Sequence, residues 1–137
     1  MPTLMNSILS IKSSIIGQKK QAKELKEKGN FAYSQKKYEE AEKYYSESIE
    51  LNRGCRPLWT NRAACRNTMK KYEEAISDCE TALLIDPKCT RTIVQKGNAL
   101  LSLGRFDEAK DCYESLRFLG ETVSACEHLK KLRDVQE

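Results

Sequence analysis

Apolar and small side chains return in the same order every 34 positions between Ala22 and Glu121. Windows of 34 starting at Ala22, Arg56 and Thr90 line up without a gap. Position 4 of the window is Leu25, Trp59 and Ile93, and position 17 is Tyr38, Tyr72 and Phe106. Position 24 is Tyr45, Cys79 and Tyr113, and position 30 is Leu51, Ile85 and Leu119. Position 8 is small each time (Gly29, Ala63, Gly97), and position 20 is always alanine (Ala41, Ala75, Ala109). This spacing puts one apolar stripe on each of two successive helices. The small residues let the two backbones approach closely. A single hairpin cannot bury its stripes, so the hairpins are expected to stack.

The predicted A helices cover 18–35, 57–69 and 89–103, and the B helices 38–52, 72–85 and 106–118. Pro57 suits the first turn of a helix, where its missing N–H is not needed. Gly104 suits a left-handed residue after the third A helix. Asp86 precedes Pro87, which disfavours the helical region and ends the second B helix. KKYEEA at 36–41 and 70–75, and GRFDEA at 104–109, mark the turns. Their carboxylates (Glu39, Glu40, Glu73, Glu74, Asp107, Glu108) fall in the first turn of each B helix, where acids meet the positive end of the dipole.

Residues 1–17 break from the repeat. They are apolar and serine-rich, and Leu4, Met5, Ile8, Leu9, Ile11, Ile15 and Ile16 outline an amphipathic helix with Thr3 as its cap. Three readings compete: an extra helix on the first repeat or a poorly ordered tail, a partner-binding helix, or a transit peptide. The absence of arginine counts against the last.

Charge sharpens this division. The net charge is +4, yet residues 1–21 hold Lys12, Lys19 and Lys20 with no acid, and the remainder holds 21 basic against 20 acidic residues. A nearly neutral folded part argues against a nucleic-acid partner. No apolar run is long enough to span a bilayer, and no membrane partner is expected. A monomer in the cytoplasm is expected.

The chemistry-bearing residues point to no enzyme, metal or cofactor. The single histidine, His128, cannot serve a triad by itself, and no glycine-rich phosphate loop is present. The paired carboxylates recur at every B helix, which marks scaffold chemistry rather than an active site. The six cysteines (55, 65, 79, 89, 112, 126) include no CxxC pair. With no secretory signal they read as reduced, mostly buried thiols.

The chain resembles the tetratricopeptide repeat family: a 34-residue helix–turn–helix with small residues at positions 8 and 20 and aromatics at 17 and 24. Departures are Ala32, Arg66 and Leu100 for the usual aromatic at position 11, and Ser48 and Leu116 for the usual alanine at 27. The resemblance implies an all-α, right-handed superhelical stack of three repeats (22–55, 56–89 and 90–120, within a block of 18–120), followed by a capping helix over 121–137. The capping stripe would be Val123, Cys126, Leu129 and Leu132, with His128 on the polar side.

In such a stack the A helices line a concave groove. The register assigns to it Lys23, Lys26, Asn30 and Tyr33, then Thr60, Asn61, Ala64 and Asn67, then Arg91, Val94, Gln95 and Asn98. No carboxylate is among them, which favours an extended peptide bearing carboxylates. The segments LKEKGN (25–30) and NRAAC (61–65) are similar to those of co-chaperones that grip the C-terminal Glu-Glu-Val-Asp tails of the seventy- and ninety-kilodalton heat-shock chaperones. That resemblance implies a two-carboxylate clamp of Lys26, Asn30, Asn61 and Arg91, with Gln95 where the family has arginine. Losing that cation costs a bidentate contact typically worth about 1.5–3 kcal/mol, or roughly tenfold or more in affinity, unless Lys96 compensates. The alternative function is a structural scaffold that holds another partner through the groove or the first helix.

Overall fold

The computed structural model describes residues 3–136, with backbone alone for 122–124 and 136. Among the described residues seven helices follow one another: α1 (Leu4–Ser34), α2 (Tyr38–Leu51), α3 (Arg56–Thr68), α4 (Tyr72–Ile85), α5 (Thr90–Ser102), α6 (Phe106–Phe118) and α7 (Thr122–Gln136). Each helix packs on the next, and the A helices also touch in succession, α1 on α3 and α3 on α5. The result is three stacked hairpins closed by α7.

The turns explain the repeated hexapeptide. Lys36 and Lys70 adopt φ of 61° and 64°, and Gly104, at the same window position, adopts 76°. The N–H of the following residue reaches back five positions, Lys37 to Ala32 at 2.9 Å, Lys71 to Arg66 at 2.7 Å and Arg105 to Leu100 at 2.9 Å. This is the left-handed closure that satisfies the last carbonyls of a helix. Glycine takes that conformation without strain, and in the first two repeats lysine takes it in its place.

The interior follows the predicted stripes. Ala41, Ala75 and Ala109 are fully enclosed, as are Tyr45, Cys79 and Tyr113. A Cβ on Gly29 would lie 2.6 Å from Cε1 of Tyr45, and one on Gly97 would lie 2.4 Å from Cε1 of Tyr113. Position 8 is therefore glycine where position 24 is tyrosine, and alanine (Ala63) where it is cysteine (Cys79). Ser48, in the place of the usual alanine, is buried and donates to the Ala22 carbonyl at 2.6 Å.

Ion pairs join the first two hairpins. Asp78 of α4, 2% exposed, accepts from Arg62 Nε at 2.9 Å and Nη2 at 2.7 Å, and from Arg66 Nη1 at 2.9 Å. Arg66 Nε and Lys71 Nζ also donate to Glu42 of α2, at 2.9 and 3.0 Å. Burial pushes the Glu42 carboxyl up, but hydrogen bonds from Arg66 and Lys71 outweigh it and hold the group below its ordinary value of 4.5.

Several expectations change. Residues 4–17 form no separate element: α1 runs through Gly17 without a break, and Thr3 caps it by accepting from the Asn6 N–H at 3.2 Å. The segment does not pack on the first repeat, because it projects past the end of α2 with its apolar side chains exposed. In α7 the inward stripe is Ala125, Leu129 and Leu132, whereas Cys126 is exposed and Val123 lies outside the described side chains. His128 is half-buried rather than on a polar face, stacked on Tyr113 with ring centroids 4.9 Å apart. All six thiols are free, but only Cys65 and Cys79 are fully buried, each pushed up to about 12 by burial.

Candidate peptide-binding groove

Asn30, Asn61 and Arg91 come from three successive A helices and meet in one pocket. It encloses about 290 Å³ and is completed by Tyr33 and Tyr45. The Tyr45 hydroxyl donates to Oδ1 of Asn30 at 2.6 Å, and Nδ2 of Asn61 donates to the same oxygen at 3.2 Å. Arg91 Nη1 donates to Oδ1 of Asn61 at 2.9 Å. Burial pushes the Tyr45 phenol well up, so it remains a donor. Both amide oxygens are thus engaged inside the protein. The donors left over at the pocket are the Asn30 NH2 group, the second N–H of Asn61 and the rest of the Arg91 guanidinium. Among the described residues no carboxylate lines the cavity. Donors with one positive charge and no competing acid suit an anionic group of a ligand.

The other expected groove residues are distributed differently. Lys26 is one turn before Asn30 on α1, so the two share a side of the helix. Lys26 and Lys23 border a smaller cleft of about 90 Å³ with Lys19, Ser48 and Asn52. Gln95 lies outside the 290 Å³ pocket, and its Oε1 accepts from Asn67 Nδ2 at 2.8 Å. Asn67 Oδ1 is buried without a partner among the described residues. Lys96 does not stand in for the missing cation. It pairs with Glu80 at 3.7 Å and borders an outer cleft with Asp111 and Phe118. Asn98 is exposed and accepts from the Tyr113 hydroxyl at 2.9 Å.

Thr60 and Ala64 are corrected. Thr60 is fully enclosed, its hydroxyl 2.8 Å from that of Thr92, where it ties α3 to α5. Ala64 is 3% exposed. Both sit where the A helices press together, so neither is open to a ligand. Tyr45 was missed as a pocket residue because it belongs to a B helix. A signal was present: positions 9 and 24 vary together, as Asn30 with Tyr45, Asn98 with Tyr113, and Ala64 with Cys79.

A wider cleft of about 600 Å³ opens on the outer side of α1 and α2, around Phe31 and Tyr44. Glu24, Glu27 and Glu40 line it together with Lys28 and Lys37, so it has no excess of positive charge to favour an acidic peptide.

Profiles described as tetratricopeptide repeat match residues 22–55 and 57–89, and a second profile of the same description matches 90–116. The chain belongs to the tetratricopeptide repeat family. Human tetratricopeptide repeat protein 12 is 40% identical over 92 residues, 67% of this chain and 13% of that protein. The chain therefore spans a small part of the length of this curated relative. Among solved structures, the first such domain of Spaghetti (RPAP3), bound to the HSP90 peptide SRMEEVD, is 32% identical with a TM-score of 0.80, covering 85% of this chain and 94% of that one. The second domain of human RPAP3, in complex with the HSP70 peptide SGPTIEEVD, is 30% identical with a TM-score of 0.78, covering 87% and 98%. Among the described residues no helix is long and apolar enough to cross a membrane.

Proposed function

We propose that this domain is a protein-interaction adaptor of the co-chaperone type, which holds the acidic C-terminal tail of a heat-shock chaperone of the Hsp70/Hsp90 class in its groove. The observation that carries this reading is the pocket in which both amide oxygens are already engaged, leaving donors and the Arg91 charge for a carboxylate. Asn30, Asn61 and Arg91 would hold the terminal carboxylate, and Lys26 would approach from the rim. Gln95 is the weakest member of the clamp. The relatives bound to peptides ending in Glu-Glu-Val-Asp support the same ligand class. Such an adaptor would work in the cytoplasm, where six free thiols stay reduced.

Calorimetric titration with acetylated Met-Glu-Glu-Val-Asp tests it. Binding in the micromolar range is expected, weakened about 10-fold or more by Asn61→Ala or Lys26→Ala, since hydrogen bonds to charged groups are worth about 1.5–3 kcal/mol. Equal affinity for the C-terminally amidated peptide would refute the carboxylate reading.

A second reading is favoured by α1. Leu4 and Ile11 stand five helical turns before Ala22 and Gly29, so they point the same way as residues packed on α2, yet Leu4 is 79% and Ile11 60% exposed. A partner helix lying end-on to α2 would cover them. Partner capture that survives Lys26→Ala but is lost on deleting residues 1–17 would support this scaffold role instead.

A further inference from the structure

The groove changes character from the Arg91 pocket to Gln95. At the pocket the side chains offer donors and a positive charge. One turn further along α5, Gln95 shares a side of the helix with Arg91 but carries no charge. Its orientation is fixed from α3: Nδ2 of Asn67 donates both to the Gln95 side-chain oxygen, at 2.8 Å, and to its backbone carbonyl, at 3.1 Å. With that oxygen held by Asn67, the Gln95 NH2 group is the end left for a ligand. Lys96 is drawn to Glu80 on the other side of α5, so no second cation reaches this part of the groove from its neighbour.

We propose that this groove reads one carboxylate and one neutral carbonyl. The first is the C-terminal carboxylate of a bound peptide, at Asn30, Asn61 and Arg91. The second is an amide or peptide carbonyl at Gln95, with Asn67 as the residue that positions it. The inference rests on the tail-binding reading above and adds a ligand preference to it. A carboxylate taken from water needs a cation or several hydrogen bonds in return, whereas a single neutral N–H suits a carbonyl oxygen. Gln95 follows Arg91 by one helical turn of about 5.4 Å, a separation that the outer oxygens of the two carboxyl groups of a terminal aspartate can reach although their carbons, three bonds apart, lie closer. The side chain of the last residue thus falls to Gln95. Asparagine is accepted there as readily as aspartate, which widens the set of tails the domain can take.

The test compares three fluorescein-labelled peptides on the whole chain by anisotropy: Met-Glu-Glu-Val-Asp, Met-Glu-Glu-Val-Asn, and the first with an amidated C-terminus. The wild-type chain is expected to bind the Asp and Asn peptides within about threefold of each other, and the amidated peptide about 10-fold or more weakly. Gln95→Arg is expected to restore a preference for Asp of about 10-fold or more. Gln95→Leu, which lacks the donor, is expected to weaken both free-acid peptides alike, by roughly threefold to 10-fold. Circular dichroism at 222 nm confirms that each variant is folded. A wild-type preference for Asp as large as that of Gln95→Arg overturns the inference while leaving tail binding intact. If none of the peptides binds, or amidation has no effect, the tail-binding reading fails and this inference falls with it.

Discussion

Replacing Gly29 with alanine would set a methyl carbon 2.6 Å from Cε1 and 2.8 Å from Cδ1 of Tyr45. Tyr45 is 1% exposed, so its ring is closely packed, and its hydroxyl is held by Asn30 at 2.6 Å. Helix propensity pulls the other way, because alanine in place of a mid-helix glycine is worth about 1 kcal/mol. Overpacking a closed interior costs about 1–3 kcal/mol, and a displaced hydrogen bond about 1 kcal/mol more. The overpacking wins, and a net loss of about 1–3 kcal/mol is expected. Gly17 supplies the control, since it lies in the same helix with nothing within 4 Å of an added Cβ. Gly17→Ala should raise helicity at 222 nm without lowering the urea midpoint. The sign for Gly29→Ala should invert in a Tyr45→Cys background, which copies the Ala63–Cys79 pairing of the second repeat. The assay is urea unfolding followed by circular dichroism, with m unchanged. A Gly29→Ala variant as stable as the wild type would refute the reasoning.

Two further outcomes follow from the ion pairs. Asp78→Asn leaves Arg62 and Arg66 without their buried carboxylate, and breaking such a pair costs about 3–5 kcal/mol, read as a drop in the urea midpoint. Glu42 contributes stability that is fully present above its unfolded-state value, because its folded pKa is depressed. That stability is lost as pH falls from about 5 through the folded value, and Glu42→Gln should flatten the midpoint-against-pH curve in this acid limb while leaving its shape near pH 7 unchanged.

The hairpins, their order and their turns were legible because helix packing repeats a local rule. A stripe of apolar residues and an enclosed alanine at position 20 say the same thing three times. Part of the groove was legible for the same reason: once the register is counted, Asn30, Asn61 and Arg91 must face one another from adjacent A helices. The same counting placed Thr60 and Ala64 in the groove, where it failed. Register gives the direction a side chain leaves its helix, but not how closely the neighbouring helix presses on it.

By itself the sequence determined the number of hairpins, the left-handed turn at Gly104, and a groove side free of carboxylates. Only the tertiary structure decided which donors remain free. Asn67 holding Gln95, Tyr45 holding Asn30, and Lys96 turned toward Glu80 are contacts between side chains 15 or more residues apart in the chain. Such pairings depend on distances between helices, and a hydrogen bond changes from formed to absent within less than 1 Å. The exposed stripe at the start of α1 belongs with them. The sequence specified an apolar face, and the length of α2 left it uncovered.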